Sequence, residues 1–166
     1  MNLHSRIFGI VLAAGLGAVA HASPTVGDWT EWNAEYTLSG HTYVGTSRFD
    51  LVEYNAQTLQ YLKRYTTVLD GQSQVDDRWV DGQDVASKER AEYYVANCTR
   101  IVGAVLDPIN FNGVMMPACK VPIDDARASG FIWVAAVPDL AGQSDLVYKN
   151  NGAHYVLRLK DYRWVP

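Results

Sequence analysis

The chain has 166 residues, 48% of them apolar, with five Trp, ten Tyr and a formal charge of −4. That is ample apolar material for one packed core. Charges of both signs are interspersed with no basic run, which argues against a nucleic-acid or anionic-lipid surface.

Residues 1–22 read as a signal peptide. Arg6 supplies the positive start, residues 7–19 are almost unbroken apolar, and Ala20-His21-Ala22 is a small-x-small cleavage site ahead of Ser23. The apolar run is shorter than the ~20 residues that span a bilayer. The expected product is one β-rich domain of residues 23–166, exported to the periplasm or outside the cell, with no transmembrane span in the mature chain. Cleavage removes Arg6 and no acid, so the product is slightly more acidic than the whole chain. Export also frees the only two cysteines, Cys98 and Cys119, to oxidise. Closing a loop of that size stabilises by roughly 3 kcal/mol, and no CxxC spacing points to redox exchange.

In the mature chain, residues 29–38 alternate, with Trp32, Ala34, Tyr36 and Leu38 on one face and Glu31, Asn33, Glu35 and Thr37 on the other. A period of two predicts a strand with one buried face. Residues 42–54, 58–69 and 73–80 continue the pattern, with Phe49 and Leu51, then Tyr61 and Tyr65, then Val75 and Trp79 as their apolar residues. Asp70-Gly71 between the third and fourth is a hairpin signal. Four strands joined by short turns predict an antiparallel meander.

The period changes at Ser87. Ala91, Tyr94, Val95 and Cys98 fall on one face of a helix, with Ser87 or Asp84 able to cap it and Glu89 in the first turn. Its stripe needs the concave face of the sheet as cover. Residues 104–109 and 114–118 then predict two strands held at an edge or kinked by Pro108 and Pro117. Residues 131–137, apolar throughout, read as a central strand covered on both sides. A loop over 138–145 and a last hairpin turning at residues 150–153 complete the pattern. The expected fold is mainly β: a curled antiparallel sheet or half-barrel of about eight or nine strands wrapped around one helix, with one disulfide.

Candidate chemistry is sparse. After residue 22 the histidines are His41 and His154, far apart in sequence, so a metal site is not expected. There is no G-x-S-x-G and no phosphate-cradling glycine loop. Asp76 and Asp77 are neighbours in a strand and must point to opposite faces, while Asp124-Asp125 sits in a polar link. No cofactor and no catalytic role are expected. What remains is an aromatic interior, from which Trp32, Tyr36, Tyr61, Tyr65, Trp79, Tyr94 and Trp133 are candidate ligand-binding residues. Met115 and Met116 would form an adaptable rim.

The order of helix, Asn97-Cys98, Gly103, strand, turn, Ala118-Cys119-Lys120-Val121, Gly130-x-Ile132-Trp133 and Val137-Pro138 resembles a group of exported bacterial proteins of unknown function. Their layout is similar to the half-barrel that carries lipoproteins or lipids across the periplasm. The turn before the second cysteine departs from theirs, reading Asn112-Gly113-Val114-Met115-Met116-Pro117. The resemblance implies a fold and leaves any cargo open. The aromatic-rich curved sheet, the acidic exterior and the absence of catalytic constellations lead to the expectation of a non-enzymatic exported binding protein for an apolar ligand such as a lipid or acyl chain. The alternative is an envelope protein-interaction module, whether accessory subunit or secreted inhibitor, using strand edges beside Pro108 and Pro117.

Overall fold

The computed structural model describes residues 23–166; the expected signal peptide lies outside the described residues. The first four strands are β1 (Trp29–Leu38), β2 (His41–Asn55), β3 (Gln60–Leu69) and β4 (Gln72–Asp81), an antiparallel meander. A turn of 3-10 helix leads to α1 (Lys88–Ala96), where the Ser87 hydroxyl accepts from Arg90 N–H at 3.3 Å and caps the helix start. Beyond it come β5 (Val105–Leu106), β6 (Ile109–Phe111), β7 (Val114–Met116), β8 (Ala118–Asp124), β9 (Ala128–Ala135), β10 (Ala141–Tyr148) and β11 (His154–Arg163).

Nine strands form one antiparallel sheet in the order β4-β3-β2-β1-β11-β10-β9-β8-β5, which does not close. β6 and β7 make a separate two-stranded ribbon around Asn112-Gly113, both at positive φ as a tight hairpin turn requires. The described residues are therefore mostly β, with one α-helix, an open sheet and one disulfide, Cys98–Cys119. The prolines break strands rather than kink them. Pro108 falls between β5 and β6 and Pro117 between β7 and β8, because each lacks the donor that a ladder needs. β10 begins at Ala141, inside what the sequence predicts as loop; pairing with β9 and β11 satisfies the backbone of Gln143-Ser144-Asp145, with a bulge at Gly142.

Cross-strand partners share a face, so the register traces the concave wall. Trp32, Ala34 and Tyr36 lie opposite Leu159, Leu157 and Tyr155; Leu157 faces Ser144, Ser144 faces Ile132, and Ile132 faces Val121. In the other direction Trp32 faces Ser47, Thr30 faces Phe49, and Phe49 faces Tyr65. Helix α1 covers the β8–β9 end of this same face, packing Tyr94 and Cys98 with Cys119, Val121 and Val134. The disulfide, with Cα atoms 5.4 Å apart, fastens the helix exit to β8. The ribbon sits where no side chain intervenes: a Cβ added at Gly142 would come within 2.6 Å of Ile109 and 2.8 Å of Ala135.

Candidate functional site

The five residues 136–140 joining β9 to β10 fold onto the concave face and reach β3. Four strand spacings separate β3 from β10, roughly 19 Å on a flat sheet. Asp139 stands two residues before β10 and still receives a 2.8 Å hydrogen bond from the Tyr65 hydroxyl. Two residues of chain span at most ~7 Å, and a strand side chain such as Tyr65 stands roughly perpendicular to the sheet and not along it, so the sheet curls to bring them together. The Thr30 hydroxyl donates to the Pro138 carbonyl and the Trp32 indole N–H to the Ala141 carbonyl at 2.6 Å. Val137 and Pro138 are fully buried beneath this anchor.

The loop carries a charge inward. Lys63 Nζ lies 3.4 Å from Asp139 Oδ1, with the two side chains 10% and 3% exposed, and the Lys63 ammonium is also over the Phe49 ring at 5.5 Å. Burial pushes the Asp139 carboxyl above its ordinary value, and the attraction of Lys63 offsets this only in part. Burial also raises the Tyr65 hydroxyl, followed by the charge of Asp139 beside it. Asp139 and Leu140 both hold left-handed backbone, φ 65° and 64°, a conformation costly to non-glycine residues. Beside the pair, Arg78 faces Lys63 from β4 and Asp76 faces Tyr65, and Arg78 bonds Asp76 at 2.7 Å.

Three buried side-chain atoms among the described residues lack a hydrogen-bond partner: Asp139 Oδ2, Ser144 Oγ and Tyr148 OH. Ser144 and Tyr148 alternate onto the face that carries Leu146 and Tyr155, the concave face. Burial holds the Tyr148 hydroxyl well above its usual range and pushes Tyr155 up to about 12, hydrogen bonds from Ser47 and Thr67 working against the latter. An aromatic wall, a loop plug bearing one ion pair and three orphaned polar atoms thus share one surface.

The structure divides the residues singled out from sequence. Trp32, Tyr36, Tyr61 and Tyr65 are buried on the concave face, and Tyr94 is buried beneath α1. Trp79 is corrected: it is 44% exposed on the outer face of β4, since the inward phase of that strand belongs to Gln74, Asp76, Arg78 and Val80. Trp133 is buried, but alternation places it on the face opposite Ile132, where its indole N–H donates to Asp107 and Lys120 lies over its ring. Met115 is 59% exposed on the ribbon, whereas Met116 packs against the core. Lys63 and Asp139 escape the sequence reading. Lys63 had a signal, a charge in phase between Tyr61 and Tyr65; Asp139 had none, its partners lying 74 and 76 positions away.

Other polar groups are occupied locally. Asp77 pairs with Arg64, Asp124 with Lys149, His154 with Asp145, and Asp125 accepts two backbone N–H bonds in its turn. Among the described residues no three His, Cys, Asp or Glu groups converge as metal ligands, and no helix is long and apolar enough to cross a membrane.

No family model and no curated protein matches the chain. Among solved structures it is similar to a crystal structure of MucB (TM-score 0.45, 13% identity, 84% of this chain and 54% of that one). It is also similar to the Pseudomonas aeruginosa MucA/MucB complex (0.42, 10%, 82% and 51%). A third is a DUF1329 family protein from Desulfovibrio piger (0.28, 9%, 84% and 86%). The chain spans about half the length of the MucB chains it matches. At these scores the likeness transfers no function.

Proposed function

We propose that this chain is a non-enzymatic exported binding protein whose concave face takes an amphiphile. The apolar chain would lie along Trp32, Tyr36 and Tyr155, and the anionic head would meet Lys63 where the Asp139 carboxylate now stands. The observation that carries this is the buried Lys63–Asp139 pair, set into an aromatic wall by a loop with two consecutive left-handed residues. Buried ion pairs contribute little to stability compared with well-packed apolar residues, and strained backbone with perturbed carboxyls clusters at binding sites. The orphaned atoms of Ser144 and Tyr148 on the same face favour a polar-headed occupant over a purely apolar one.

Fluorescence titration with a labelled long-chain fatty acid tests this. The exported protein should bind saturably, and Lys63→Gln/Asp139→Asn, which removes the cation without stranding a carboxylate, should weaken binding about tenfold, or ~1.4 kcal/mol. Absence of saturable binding, or equal affinity in the double variant, would sink the reading.

The rival, an envelope protein-interaction module, has its support in a different place from the one the sequence indicates. β5 is only two residues long, whereas β4, ten residues long, pairs on its outer edge with no strand among the described residues. Recovery of a stoichiometric envelope protein lost on blocking that edge would favour it.

A further inference from the structure

We infer that β4 is a self-complementary edge and that its partner is β4 of a second copy. The inference is independent of the concave-face ligand. Asp70 and Gly71 both have positive φ (46° and 78°), the signature of a two-residue type I′ turn. In such a hairpin the flanking residues, Leu69 and Gln72, exchange hydrogen bonds. Alternation then turns the backbone groups of Gln74, Asp76, Arg78 and Val80 toward β3. Those of Ser73, Val75, Asp77, Trp79 and Asp81 point out from the sheet edge, where no strand follows β4 among the described residues.

Antiparallel pairing of two such edges about a two-fold axis at Asp77 sets Val75 opposite the partner's Trp79 and Ser73 opposite the partner's Asp81. These are residues whose N–H and C=O groups point outward, so each pair exchanges two ladder bonds. On the outer face the pairing covers Val75 and Trp79, now 56% and 44% exposed, with each other. On the inner face it sets Asp76 opposite the partner's Arg78, and Arg78 opposite the partner's Asp76. The two Asp77 carboxylates meet at the axis, each already gripped by Arg64 through two 2.7 Å bonds.

Charged residues on an edge ordinarily discourage pairing; here they select a register. A slip of one residue on each strand that keeps the faces matched puts Asp76 opposite Asp76 in one direction and Arg78 opposite Arg78 in the other. Like charges directly opposite are destabilising. The proposed register carries one such contact, Asp77 with the partner's Asp77, each held by its own Arg64. It alone gains two Asp76–Arg78 pairs between the copies, which neither slip provides. An isologous interface of this kind closes after two chains and does not propagate.

Sedimentation equilibrium of the exported protein tests the inference, with two variants. Val75→Pro removes only an outward N–H, so the ladder to β3 and the far-UV spectrum should persist while the dimer is lost. Arg78→Glu should weaken the dimer at least tenfold, and Asp76→Arg/Arg78→Glu, which restores opposite charges across the axis, should recover it. The expected mass is twice that of the chain. A monomer throughout, a dimer untouched by Val75→Pro, or no recovery in the swapped pair would each overturn the inference. Recovery of a different protein on this edge would overturn it in favour of the rival reading.

Discussion

Lys63 and Asp139 show how one pair sets opposite consequences for its two members. A folded carboxyl held above 3.8 contributes its stability in acid and loses it as pH rises through the raised value. Asp139→Asn should therefore gain stability relative to the native chain as pH climbs across that window, and keep a constant difference above it. Lys63→Met does the reverse at neutral pH. It strands a buried carboxylate and should cost about 3–5 kcal/mol, a penalty that shrinks in acid once Asp139 is protonated. Urea melts of both variants from acid to neutral pH check the signs. Equal effects of the two substitutions would show that the loop carboxylate is not the strained partner.

At the scale of elements, the helix and β8 are joined by the one covalent cross-link, Cys98–Cys119, with 21 positions between its ends. Reduction should lower stability by about 3 kcal/mol on a chain-entropy account, measured as a shift in the urea midpoint with reductant. Identical midpoints would contradict a structural role for the bond. How legible these elements were depended on what decides them. β1 was legible to the residue, because Trp32, Ala34 and Tyr36 alternate with polar neighbours and one face is buried along its length. The helix was legible through the stripe of Ala91, Tyr94 and Cys98, while the choice of Ser87 over Asp84 as its cap was settled only by the fold. The phase of β4 was not: at a sheet edge both faces are partly wet, so an exposed Trp79 costs little and hydrophobicity stops marking the inside. β10 was missed over its first half because its polar residues become a strand through neighbours on both sides.

For the whole molecule, local pattern gave an unclosed sheet with a helix on its concave face, and of the aromatic residues singled out Trp32, Tyr36, Tyr61 and Tyr65 lie buried on that face. The site itself depends on curl. Curl brings the 136–140 loop from the β9–β10 junction to β3, and no local periodicity encodes a contact between Tyr65 and Asp139. Sequence therefore reported the wall and not the plug. The central claim is that this wall and plug hold an amphiphile, and native mass spectrometry of the protein purified from its natural source, followed by solvent extraction, tests it most directly. The account predicts a co-purifying mass that extracts as an acyl-chain compound with an anionic head and is absent from Lys63→Gln/Asp139→Asn. A bare oxidised chain from its natural source, identical in mass composition to the double variant apart from the substitutions, would contradict it.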